Sequence, residues 1–250
     1  MRTISTLTAF SIFFASVSNI DAQDNTPEEN RTVTPSSSPP ANNAPNWLTR
    51  LSVAQQRQLQ SLLQDASRYL SGIRVQEAFE KIIEAESMAP EYSAIHNLKG
   101  AAYTKIREFD KATAAFSRAL ELEPNSFMCR FNLTEMNFCK GKFAEAERGF
   151  RQLMNTTSLS EDNKALMNFK ILICRLKQDD ESEAREILKA WDYLDDHPSF
   201  YFGNAAIHFN KTEEKKARKW LNAAKKIYSP AQISLYTDSL IECGWIDNFE

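Results

Sequence analysis

The 250-residue chain is short of glycine, with six in all, roughly a third of what average usage near 7% would supply. That shortage argues against folds that turn on glycine, such as sandwiches, propellers and glycine-looped nucleotide-binding domains. Histidine is scarcer, with His96, His197 and His208 alone, and none stands at metal-ligand spacing from another ligand-type side chain. Phosphate loops, GxGxxG and GxSxG motifs are missing as well. The chain therefore reads as a non-enzyme, with neither cofactor nor metal expected. An excess of one charge sign is also lacking: Lys and Arg number 30, Asp and Glu 33, for a net charge of -3. Such a balance gives no global reason to expect nucleic acid or an anionic membrane as partner. No apolar run reaches the ~20 residues of a membrane span. What remains is a mostly helical chain, long enough for one or two domains.

Proline is present but clustered. Five of the nine (Pro27, Pro35, Pro39, Pro40, Pro45) crowd one stretch, and Pro90, Pro124, Pro198 and Pro230 are scattered over the rest. Ahead of the cluster, Met1 to Ala22 carries Arg2 and then an apolar core from Leu7 to Val17. That pattern suits a signal peptide cleaved after Ala22. An exported protein, periplasmic or extracellular, is expected. Residues 23–46 hold the proline cluster and hardly an apolar side chain, so they cannot offset their chain entropy by burial and read as a disordered tether. Trp47 and Leu48 are the first residues able to dock on a core.

Beyond the tether the sequence repeats. Ala78 and Ala112, Ile82 and Phe116, Ala85 and Ala119, and Pro90 and Pro124 each stand 34 residues apart. A further step reaches Ala146, Phe150 and Leu153. The preceding half repeats too, as Ala66 with Tyr69 and Gly100 with Tyr103. After an insertion near residues 156–162, the pattern resumes with Ala184, Leu188 and Trp191, and ends with Ala217, Leu221, Ala224 and Pro230.

These residues resemble the tetratricopeptide repeat: a small residue and an aromatic in a first helix, then Ala, a large apolar residue, Ala and a closing Pro in a second. Small residues allow close helix approach, the large one fills the gap, and Pro stops the second helix. The resemblance implies an all-α superhelix of about five repeats, over residues 59–92, 93–126, 127–160, 165–197 and 198–230. It is closest in residues 93–126 and weaker in the last two, where Leu172 with Arg175 stand in place of the small residue and aromatic and Ala205 with His208 fill the same pair. An array also needs an end cap, and residues 231–243 read as a capping helix, with Trp245 and Ile246 folding back.

The family's first helices line a concave groove for partner segments. Projected onto this sequence, three residues per helix at i, i+4 and i+7 fall on that stripe. They are Leu63, Ser67 and Leu70, then Asn97, Ala101 and Thr104, then Phe131, Glu135 and Phe138. The fourth repeat adds Phe169, Ile173 and Leu176, and the fifth Phe202, Ala206 and Phe209. The C-terminal half is thus Phe-rich, and a protein or peptide partner is expected to contact Phe131, Glu135, Phe138, Phe169, Ile173, Leu176, Phe202 and Phe209. Lys and Asn pairs that hold a C-terminal carboxylate in some chaperone-binding members are missing at the matching places. Two alternatives stand beside groove binding: a stripe filled from within by the cap helix, and a homo-oligomer that uses it for self-association.

Of the four cysteines, Cys129 and Cys139 lie roughly 15 Å apart on one helix and cannot bridge. Cys139 with Cys174 is the pair to test, although four thiols acting as small buried apolar groups is the simpler expectation. Asn-x-Thr triplets begin at Asn30, Asn132, Asn155 and Asn210, and the helical position of Asn132 marks them as chance matches. Acidic residues from Asp179 to Asp196 face a lysine-rich run from Lys211 to Lys226, which reads as two complementary solvated faces.

Overall fold

The computed structural model describes residues 46–155, 159–192, 194 and 197–247. The expected leader, and all but the last residue of the expected tether, lie outside them. The described residues form twelve α-helices and no strand. After α1 (Asn46–Thr49) come five pairs: α2 (Val53–Ser71) with α3 (Val75–Met88), α4 (Ser93–Lys105) with α5 (Phe109–Leu122), α6 (Phe127–Cys139) with α7 (Phe143–Met154), α8 (Glu161–Leu176) with α9 (Glu181–Leu188), and α10 (Ser199–Asn210) with α11 (Glu214–Ile227). A final helix, α12, spans Pro230–Glu242. Each pair packs together and against the next, and first helices also touch one another, as in α2 with α4 and α8 with α10. The result is an α-α superhelix with first helices in one layer and second helices in the other.

Local chemistry sets the starts of several helices. Ser52 and Gln55 form a capping box at α2, Ser126 and Ser160 cap α6 and α8, and Asp180 caps α9. Ser229 and Gln232 form a second box at α12, with Pro230 in its first turn. The second helices are amphipathic in the predicted register. Ala78, Ile82 and Ala85, then Ala112, Phe116 and Ala119, then Ala146, Phe150 and Leu153 are buried, as are Ala184, Ala217, Leu221 and Ala224. Gly100 is the close approach expected of it: a Cβ there would lie 2.6 Å from the Phe116 ring. At the N-terminal end, Trp47 stacks on Tyr92 at 4.3 Å, and the Gln56 side-chain amide donates to Leu48 O and Leu51 O.

The turn inside each pair recurs with one geometry. A single residue adopts positive φ (Ile73 59°, Arg107 61°, Gly141 71°, Asp179 61°, Thr212 58°). The amide of the following residue then donates back to the carbonyl five residues earlier: Arg74 to Tyr69, Glu108 to Tyr103, Lys142 to Asn137, Asp180 to Arg175 and Glu213 to His208, at 2.8–3.0 Å. This is a Schellman-type helix end, which satisfies carbonyls left open by the last turn. Only one of these five positions is glycine, so the low glycine count does not reflect a lack of left-handed turns. β-Branched Ile73 and Thr212 carry the largest steric penalty there.

The first helices α8 and α10 are buried around most of their circumference, unlike the second helices. Second helices cover only one side of them, so a further layer must cover the other. It is α12, which packs on α8, α10 and α11.

Removing the left-handed penalty is measurable. Thr212→Gly is expected to stabilise the protein by about 0.5–1 kcal/mol, the steric relief of ~1–2 kcal/mol less the extra chain entropy of glycine. At the equivalent turn Gly141→Val should lose about 1–2 kcal/mol. Urea unfolding checks both, and equal signs for the two variants would contradict the turn assignment.

Candidate partner-binding face

The face expected to take a partner is the inner side of α6, α8 and α10. Seven of the eight residues assigned to it are buried: Phe131, Phe138, Phe169, Ile173, Leu176, Phe202 and Phe209, none more than 7% exposed. The expectation of an open Phe stripe is therefore corrected. Phe131 and Phe138 turn onto Phe150 of their own pair, with centroids 6.1 and 6.4 Å away. Phe169 and Phe202 lie under Tyr236 of α12, at 5.1 and 5.4 Å. Phe209 stacks on Trp245 at 6.2 Å, just past the end of α12.

The expected capping helix is α12, and it is enclosed on both sides. No residue from Ile233 to Cys243 is exposed. Ile233, Tyr236 and Leu240 form a buried stripe, each such side chain contributing about 1.5–3 kcal/mol of burial. The Tyr236 hydroxyl lies 3.0 Å from Ser199 Oγ, and burial, only partly opposed by that hydrogen bond, pushes its pKa up to about 12. The helix ends in the same left-handed turn as the first helices, with Gly244 at φ 69° and the Trp245 amide donating to Leu240 O. Locally it is a sixth first helix; in the assembly it lies across the inner face.

The other side of α12 is polar and meets cations. Glu242, with its side chain 4% exposed, pairs with Arg107 at the end of α4 (Oε1 to Nη1 2.9 Å). Lys170 of α8 donates to Glu135 Oε2 and to Ser239 Oγ, both at 2.9 Å, and its Nζ lies 4.8 Å from the Phe138 ring centroid. Burial alone would lower the Lys170 pKa, but the Glu135 carboxylate outweighs it and holds the ammonium above the ordinary lysine value. Burial lowers Lys105 at the end of α4, and the Asp238 carboxylate of α12 partly offsets this. Lys177 donates to Cys243 O at 3.1 Å and sits over the Trp245 ring at 4.4 Å, a cation at the negative end of a helix. Glu135, the one charged residue in the predicted set, thus serves as the counter-ion of a buried lysine that the sequence reading did not select.

The remaining candidates are structural. His96 Nε2 lies 2.7 Å from Pro90 O, and His208 Nδ1 lies 2.6 Å from Glu213 Oε2. All four cysteines are free thiols. Burial pushes each thiol pKa up, that of Cys243 to about 12, which disfavours the reactive thiolate. Among the described residues, no group of three His, Cys, Asp or Glu side chains is arranged to hold a metal, and no helix is long and apolar enough to cross a membrane. The acidic and basic runs meet at Lys211–Glu181 (2.8 Å), but Lys216 and Arg218 pair within their own segment, with Glu213 and Glu214. Exposed pairs of this kind add little stability.

Residues 93–126 match the family model described as tetratricopeptide repeat. Comparison with curated proteins found no match in sequence. Among solved structures, the chain is similar in fold to pilF of Pseudomonas aeruginosa, with TM-score 0.55, 13% identity, and coverage of 77% of this chain and 88% of that one. It is equally similar to a tetratricopeptide repeat protein from Parabacteroides merdae, with TM-score 0.55, 16% identity, and coverage of 73% and 71%. These matches show a tetratricopeptide repeat in residues 93–126 and a fold similar to that of a tetratricopeptide repeat protein over most of the chain.

The buried pair beneath α12 can be tested by substitution. Lys170→Met should destabilise the protein by about 3–5 kcal/mol, because it strands the Glu135 carboxylate, and adding Glu135→Leu should recover most of that loss. The Lys170 pKa is higher in the folded state, so its contribution is complete below the ordinary value of 10.5 and fades as pH rises through the folded value. In urea melts the double variant should lose less stability than wild type above that pH. A double variant no more stable than the single one would refute the pairing.

Proposed function

We propose that this protein is a non-catalytic interaction module that holds a segment of a partner protein along the inner face of its superhelix. Tetratricopeptide repeat folds generally mediate protein–protein interaction, and this chain shares that architecture. One observation carries the reading: the inner face already encloses a helix, α12, with aromatic floor contacts to Phe169 and Phe202 and charged contacts at the opposite wall. A surface that seats one helix has the width and chemistry for helix-in-groove recognition. Toward the N-terminal end the same face offers half-buried Ser67 and Asn97. Self-association through the Phe stripe has less support, since those side chains are already buried within one chain.

We further propose that the protein works after export, in a periplasmic or extracellular compartment, which rests on the cationic start, eleven-residue apolar core and Ala22 of residues 1–22. N-terminal sequencing of protein from the non-cytosolic fraction should begin at Gln23; a mature chain that keeps Met1 would overturn export. For the interaction role, photo-crosslinking residues at Ser67 and Asn97 should yield partner adducts, and one at exposed Ala114 of α5 should yield none. Adducts from Ala114 alone would move the interaction to the outer face.

A further inference from the structure

We infer that α12 is a displaceable latch, an internal ligand of the inner face, and that the partner exchanged for it is a helix of matching chemistry: an apolar stripe with two carboxylates one turn apart on the opposite side. This inference rests on the inner face being the partner site.

The attachments of α12 fall into two unlike sets. On one side Ile233, Tyr236 and Leu240 lie on the layer formed by α8 and α10. On the other, Asp238 faces Lys105 and Glu242 faces Arg107, both at the end of α4, while Lys170 and Lys177 reach α12 from α8 and the residue after it. Arg107 takes Glu242 in a forked contact, Nη1 to Oε1 at 2.9 Å and Nη2 to Oε2 at 3.4 Å. Lys170 takes Ser239, and Lys177 takes the carbonyl of Cys243. Lys170 is already balanced by Glu135 and offers only a hydrogen bond to Ser239, while three positive side chains on this path, Lys105, Arg107 and Lys177, come from the ends of α4 and α8. They select for acidic and against basic occupants, because a basic helix would set like charges together across a desolvated wall.

Two features make this occupant exchangeable rather than one more layer of the solenoid. The helix is joined to α11 through Tyr228 and Ser229, both in extended backbone, so it can swing out without unthreading any repeat. One flank of it also borders open space: a cleft of about 460 Å³ runs between α11 and α12, lined by Lys225, Tyr228, Ile233 and Thr237 among others. The ion pair at the far end is half open to water: the Arg107 side chain is 53% exposed. A carboxylate from a partner can therefore compete for it.

Hydrogen exchange on the full chain tests the latch directly. Amides of α12 should exchange at least about tenfold faster than those of α8 and α10, through local opening. Equal protection in the three helices would overturn the inference and make α12 an ordinary core element. A second measurement uses the helix itself as probe. A labelled peptide of residues 229–247 should bind the folded Asp238→Lys/Glu242→Lys chain at least about tenfold more tightly than wild type, whose own α12 competes. Lysines at both acidic positions of the peptide should abolish that binding. No gain over wild type, with the variant shown folded by circular dichroism, would overturn the exchange. Neither measurement involves the natural partner, so both read the latch independently of where partner crosslinks map.

Discussion

A row of first helices that is apolar on two sides is the constraint from which this architecture follows. α8 buries Phe169, Leu172, Ile173 and Leu176, together with Leu166, Met167 and Ile171, so no single neighbouring helix can cover it. The second helices satisfy one side at a regular beat, each with small residues that admit a close approach and one large residue that fills the space. The other side would leave several aromatic rings in water, an apolar patch of the kind monomeric proteins rarely keep. α12 removes that patch by lying across it. Turn geometry serves the same packing: the left-handed residue between paired helices is Ile, Arg, Gly, Asp or Thr as position requires, because the helices it joins are held by their own contacts.

Charge enters this apolar arrangement in one defined place. Lys170 is buried beneath α12, where it donates to Glu135 and Ser239, and the Glu135 carboxylate raises its pKa against the opposing effect of burial. Arg107 and Lys177 extend the same positive wall toward the end of α12. Buried ion pairs add little net stability compared with apolar residues of similar volume, but removal of one partner is costly. Their effect here is directional: they set which face of a helix can turn toward the wall. The inner surface is thus selective in charge as well as apolar, which separates it from a plain hydrophobic seam.

Much of the fold was legible in the sequence because the repeat is a local pattern. Ala112, Phe116 and Ala119 sit within eight residues of one another, and their copies before and after share the spacing. The intra-pair turns were not legible, since only Gly141 among the five left-handed positions is a residue that marks such a turn. The sequence left open whether the stripe faces a partner or is filled from within by the cap helix, for a physical reason. Whether Phe169 and Phe202 face water depends on Tyr236, more than thirty residues further on, and helical periodicity says nothing about where a last helix docks. One signal was available: a lysine at position 170, in the middle of an otherwise apolar helix, calls for a carboxylate from elsewhere, and Asp238 and Glu242 on α12 were candidates to lie nearby.

The placement of α12 across the inner face depends most on its end reaching back to the end of α4, across 135 residues of sequence. A double-mutant cycle of Arg107→Ala and Glu242→Ala, read by urea unfolding, tests that contact with few other assumptions. A coupling of about 0.5–1 kcal/mol is expected, the range for a partly exposed pair in contact. Strictly additive effects of the two substitutions would mean that α12 does not lie across the inner face.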